Sequence, residues 1–194
     1  SEGTLGLIGE LEMRLAPQPQ PQVVMVVGVP RVTDLLNILN GFNDRLTLSA
    51  FEFFSDLALQ KVQAHRGLPA PLENRVENYA LLEFDESDLP KAEETFADCM
   101  DQGWLVDGVV SHSQAQAASL WQLREGISES LAPYTPYKND LSVRISEVPT
   151  FLADVDRYVK EGYPDFEVCW YGHIGDGNLH LNILRPDSLS VEEF

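Results

Sequence analysis

The chain has 194 residues, 44% of them hydrophobic, enough to build a real core in one domain or two small ones. Its 13 basic residues against 31 acidic ones leave a formal charge of −18, a field that repels nucleic acid and anionic membrane surfaces. The sequence offers no apolar run that would span a membrane and no cationic leader, and Cys99 and Cys169 stand apart without a CxxC spacing; the reading is a cytoplasmic protein whose thiols are small buried hydrophobes.

Residues 5–15 place Leu5, Leu7, Leu11, Met13 and Leu15 at the period of a half-buried strand. Prolines 17, 19 and 21 then alternate with glutamines, which predicts an extended connector and a domain boundary: residues 1–16 close one domain and residues 17–194 form another. Beyond the connector the apolar patterns predict strand 23–29, helix 32–42, strand 46–51, helix 54–64, strand 79–84, helix 92–100, strand 105–110 and helix 115–131. Strand 141–145, helix 148–159 and a strand pair around residues 171–180 follow. Short alternating units with acidic outer helix faces predict an α+β protein, its antiparallel sheets covered on one side by helices. Two β-α-β groups in succession suit a duplicated ferredoxin-like sandwich; the halves show no internal repeat, so a single mixed sheet stays open. Ser190-Val191-Glu192-Glu193 is a capping-box pattern, and with a start lacking Met the chain reads as a piece of a longer protein.

Tyr171-Gly172-His173-Ile174-Gly175-Asp176-Gly177-Asn178-Leu179-His180 is the most specific stretch. Asp176-Gly177 between alternating apolar residues predicts a two-residue type I′ turn, which sets His173 directly opposite His180. Alternation then puts Ile174, Leu179, Leu181 and Ile183 on one face and Tyr171, His173, Asn178, His180 and Asn182 on the other. Two facing imidazoles can bind a divalent ion if further ligands arrive, and a solvated polar face explains them equally well. In 120–131 the apolar residues form a helical stripe with Arg124 and Ser128 side by side at its edge, and Lys138 follows in a proline-interrupted loop. Guanidinium, hydroxyl and ammonium suit a carboxylate; the bland alternative pairs Arg124 with Glu125 or Glu129 at the surface.

Four fragments in order, Ser1-Glu2-Gly3-Thr4-Leu5-Gly6, Leu123-Arg124-Glu125-Gly126-Ile127, Tyr137-Lys138-x-Asp140-Leu141-Ser142 and the histidine hairpin, resemble the FAD-linked oxidases of the vanillyl-alcohol oxidase type, over the whole chain. The nearest likeness is to those acting on D-2-hydroxy acids. The resemblance implies the C-terminal substrate domain of a larger flavoenzyme, in which a D-2-hydroxy acid, D-2-hydroxyglutarate foremost, gives a hydride to flavin; D-lactate and glycolate are the alternatives within the family, and a non-catalytic ferredoxin-like binding module is the alternative outside it. It further implies that His173 and His180 hold zinc or a similar ion. Arg124, Ser128 (often threonine in the family), Lys138 and Asn182 bind substrate, and Glu2, Gly3 and Thr4 approach the FAD, which is held mainly by the preceding domain. A third metal ligand and the catalytic base are expected beyond Phe194, so the chain by itself carries no catalytic residue and is expected to be inactive. A small 2-hydroxy acid is the expected partner, with neither nucleic acid nor membrane insertion, and a homodimer is one open arrangement.

Overall fold

The computed structural model describes residues 3–15, 18 and 20–194. The run Val23-Val24-Met25-Val26-Val27 has no polar side to give to solvent, and the strand it forms, β1 (Gln22–Val29), is buried on both faces inside a seven-stranded sheet. Chain order continues α1 (Asp34–Asn43), β2 (Leu48–Ser55), α2 (Asp56–Arg66), β3 (Asn78–Asp85), α3 (Leu89–Asp101) and β4 (Asp107–Val110). Then come α4 (Gln114–Glu125), α5 (Ile127–Leu131), β5 (Tyr137–Ser142), α6 (Val148–Gly162), β6 (Glu167–His173) and β7 (Asn178–Leu184). The strands lie in the order β4-β1-β3-β2-β6-β7-β5 and pair antiparallel throughout. The sheet is thus one and not several.

Both its faces are covered, which corrects the expectation of helices on one side. Leu35 and Ile38 of α1, Cys99 of α3 and Leu152 of α6 pack with Val27, Phe53 and Trp170 on one face. Leu59 and Val62 of α2, Leu123 of α4 and Ile127 of α5 pack with Val26, Phe54 and Tyr171 on the other. The period of two in β2 divides Phe53 from Glu52 and Phe54, and the Phe54 ring stacks on Tyr79 with centroids 5.4 Å apart. Between β2 and β6 the ladder holds only Phe53 to Gly172 and Phe54 to Tyr171, so the sheet is two half-sheets joined along a short seam.

Three further expectations change. Residues 5–15 form no strand: Leu5, Leu7, Leu11, Met13 and Leu15 are exposed, because alternation forms a strand only where a ladder partner exists and none lies among the described residues. The helix expected over 115–131 is divided at Gly126 into α4 and α5. The strand expected at 141–145 lies earlier, as β5, which takes Lys138 out of a loop and into a ladder opposite Asn182. Ser190 and Glu193 form the capping box, Ser190 N donating to Glu193 Oε2 at 2.9 Å and Glu193 N to Ser190 Oγ at 3.3 Å. The boundary assigned at residues 16 and 17 lies outside the described residues.

Candidate functional site

The hairpin that carries the histidines is built differently from a type I′ turn. His173 pairs with Asn178 and Tyr171 with His180, so four residues, Ile174 to Gly177, make the turn. Type I′ needs positive φ at both Asp176 and Gly177, and only Gly177 takes it, at 80°. Asp176 instead accepts the Asn178 N–H through its Oδ1 at 2.9 Å, an Asx-type turn, while Ile174 is buried in the core below. A Cβ on Gly177 would lie 2.2 Å from Val143 O, and one on Gly172 would lie 2.5 Å from Asn178 O, so both glycines fix how closely the hairpin passes its neighbours. The shift of two residues keeps the facial sorting: His173 and His180 still share a face, diagonally, with ring centroids 5.4 Å apart.

That face belongs to a cavity of about 390 Å³, which brings together every candidate substrate and metal residue of the second domain: Arg124, Ser128, Lys138, Asn182, His173 and His180. Strand register explains the convergence, since Lys138 lies opposite Asn182 and Asp140 opposite His180, on the same face as Tyr171 and His173. Arg124 lies in the last turn of α4 and Ser128 in the first turn of α5, on either side of the break at Gly126, and both line the cavity. Ser128 and Lys138 are exposed, and among the described residues neither side chain has a hydrogen-bond or ion-pair partner.

Arg124 does not pair at the surface. It is buried, its Nη2 2.9 Å from Oε2 of Glu52, and its guanidinium carbon lies 4.8 Å from the centre of the Tyr171 ring. The pair is not aligned as a hydrogen bond, and both Glu52 Oε2 and Arg124 Nε are buried without one. The other Glu52 oxygen accepts from His173 Nδ1 at 2.7 Å, and Asp140 Oδ1 lies 2.5 Å from His180 Nδ1. Asn182 is buried with its Oδ1 unpartnered.

Metal-ligating histidines characteristically give their second nitrogen to a carboxylate. His173 and His180 both do so through Nδ1, and among the described residues Nε2 of each has no partner. The chemistry of the pair fits a divalent ion, while no group of three or more His, Cys, Asp or Glu able to hold a metal occurs among the described residues. Cys169 adds nothing to the set: burial pushes its thiol up to about 12, so it is no thiolate at neutral pH. Glu52 was missed from sequence; its signal is a single acid inside Phe51-Glu52-Phe53-Phe54. The Glu2 expected near a flavin lies outside the described residues, and Gly3 and Thr4 are exposed and do not line the cavity.

The family model for the C-terminal domain of FAD linked oxidases matches residues 18–193. A D-2-hydroxyglutarate dehydrogenase of Stutzerimonas stutzeri strain A1501 is 51% identical over 197 residues, covering all of this chain and 42% of the relative. One from Xanthomonas citri pv. viticola is likewise 51% identical over 197 residues, with all of this chain and 42% of the relative covered. A mitochondrial D-2-hydroxyglutarate dehydrogenase of Rattus norvegicus is 33% identical over 191 residues, 94% of this chain and 35% of the relative. The chain thus spans well under half the length of these curated relatives. It belongs to the family of FAD-linked oxidase C-terminal domains.

Proposed function

We propose that this chain is the substrate domain of a cytoplasmic FAD-dependent D-2-hydroxy acid dehydrogenase whose substrate is D-2-hydroxyglutarate. The observation that carries the reading is the convergence of Arg124, Ser128 and Lys138 with the two carboxylate-tied imidazoles in one cavity. Strand order supports the duplicated ferredoxin-like reading of the fold. The first half-sheet is ordered 4-1-3-2, the order of a βαββαβ unit with α2 added between its second and third strands, and β5-α6-β6-β7 matches the beginning of such a unit with β7 set between β6 and β5. The exposed apolar side chains of residues 5–15 suit packing against a preceding FAD-binding domain.

In this reading Arg124 and Lys138 take the carboxylates of the acid. Lys138 has no ion-pair partner among the described residues and so presents its ammonium to a ligand, while Arg124 presents N–H groups from a guanidinium that Glu52 and Tyr171 hold in place. Ser128 donates to the same carboxylates, and Asn182 Oδ1 accepts from the alcohol O–H, the partner it lacks. Arg124 and Lys138 are formally balanced by Glu52 and Asp140, so these four leave a dianionic acid uncompensated; this favours a divalent ion at His173 and His180. A divalent ion, when bound there, supplies Lewis-acid polarisation of the alcohol, and flavin, when bound, supplies the hydride acceptor.

The test is anaerobic flavin reduction in the full-length parent by D-2-hydroxyglutarate, D-lactate and glycolate, each with and without a chelator. Chelator-sensitive reduction, fastest with D-2-hydroxyglutarate, is the expected result. Reduction by none of the three in a protein that holds FAD contradicts the reading; preference for D-lactate or glycolate contradicts its substrate alone.

A further inference from the structure

We propose that Glu52 is the positioning residue that couples the two ends of the cavity, fixing the His173 imidazole with one carboxylate oxygen and the Arg124 guanidinium with the other. The inference rests on the proposed function and assigns it a residue from outside the hairpin and the α4–α5 helices. Glu52 sits on β2, in the other half-sheet. The pairing of Phe53 with Gly172 and Phe54 with Tyr171 carries the register on to Glu52 opposite His173, across the seam. Only there do the two half-sheets meet, so a carboxylate at this place reaches both an imidazole of β6 and the guanidinium that ends α4.

Burial makes the residue costly and therefore informative. Glu52 is buried between aromatic neighbours on its own strand, where an apolar side chain would meet the needs of packing alone. A carboxylate only accepts, so the 2.7 Å contact makes His173 Nδ1 the donor and leaves Nε2 without a partner among the described residues. Its Oε2 holds Arg124 by charge at 2.9 Å without taking an aligned hydrogen bond, and Arg124 Nε is likewise unspent. Glu52 thus places the guanidinium without using up its donors. Asp140 repeats the first task at His180, but its side chain is 79% exposed against 8% for Glu52, on the outermost strand, where solvent competes for the contact.

The test uses the full-length parent with flavin bound, comparing wild type, Glu52→Gln, Glu52→Asp and Asp140→Asn, with melting temperature and flavin content as folding controls. Zinc affinity is measured by chelator competition, and kcat and KM for D-2-hydroxyglutarate separately. Loss of such an outer carboxylate costs on the order of 10- to 100-fold in metal affinity. That loss is expected for Glu52→Gln together with a raised KM, a smaller loss for Glu52→Asp, and the smallest for Asp140→Asn. In a His173→Ala background the zinc effect of Glu52→Gln is expected to vanish; a purely structural role would persist there. Equal zinc affinity and equal KM in wild type and Glu52→Gln overturn the inference alone. A wild-type parent that binds no zinc overturns the metal reading and this inference with it. Nitrogen NMR of His173 in the metal-free wild type needs no variant: a proton on Nδ1 supports the assignment, and one on Nε2 alone overturns it.

Discussion

β1 opens the first half-sheet between two neighbouring strands and β5 opens the second at the sheet edge; seven of the eight residues of β1 are buried and none of the six of β5 is. The strands of the first half-sheet pack into two cores, and among the described residues only Glu52 of these strands contacts His173 and Arg124 of the cavity through its side chain. In the second, the face opposite α6 carries Lys138, Asp140, His180 and Asn182, with Arg124 and Ser128 brought over it from the helices. Core and candidate site are thus largely separated along the sheet, and the Glu52 carboxylate lies where they meet.

Arg124→Met in the parent should breach that separation most. It leaves Glu52 buried without its cation, a loss of about 3–5 kcal/mol by denaturant unfolding, together with loss of turnover. The double variant Arg124→Met, Glu52→Gln should recover most of the stability and none of the activity; a double variant as unstable as the single one would contradict the pairing. Phe42→Ala, on α1 beneath the first half-sheet, should cost a similar ~3–5 kcal/mol yet leave KM of the folded enzyme near wild type. A large KM change there would show that the halves are not separable.

Lys138→Met reverses the pattern. Its side chain is exposed, so stability should stay within about 0.5 kcal/mol. KM for the diacid should rise by roughly 10- to 100-fold, the worth of a charged hydrogen bond, whereas unchanged KM would remove Lys138 from the site.

The smallest effect concerns Asp156 on α6, whose Oδ1 accepts from the Trp170 indole at 2.7 Å. Burial raises its carboxyl above the ordinary 3.8, and the indole contact opposes that shift. The fold therefore binds this proton more tightly than the unfolded chain does. The stability it contributes is complete below 3.8 and is lost as pH rises through the raised value. Asp156→Asn should flatten the fall in urea midpoint above pH 4; an unaltered slope would remove Asp156 as its source.

Much of this was legible in the sequence. The apolar periods found most strands and helices, with β5 expected too late and α4 and α5 expected as one helix, and facial alternation placed His173, His180, Tyr171 and Asn182 together even though the hairpin register was two residues off. The error has a local cause, the Asx turn of Asp176 replacing a second positive φ, which no dipeptide rule weighs. Burial on both sheet faces was implicit in the unbroken apolar run of β1 but hidden by the acidic helix exteriors. Arg124 looked like a surface cation because its partner is distant in sequence; only the β2–β6 seam brings Glu52 to it. Residues 5–15 show the converse, a strand pattern without a ladder.

We propose that the cavity face of the second half-sheet is a metal-assisted site for a 2-hydroxy acid. The most direct measurement is anomalous diffraction at the zinc edge from crystals of the zinc-loaded parent soaked with D-2-hydroxyglutarate. An anomalous peak within bonding distance of Nε2 of both His173 and His180, with the acid's carboxylates on Arg124 and Lys138, is the predicted result. No peak at the two histidines, in crystals whose dissolved protein reduces its flavin with the same acid, would contradict it.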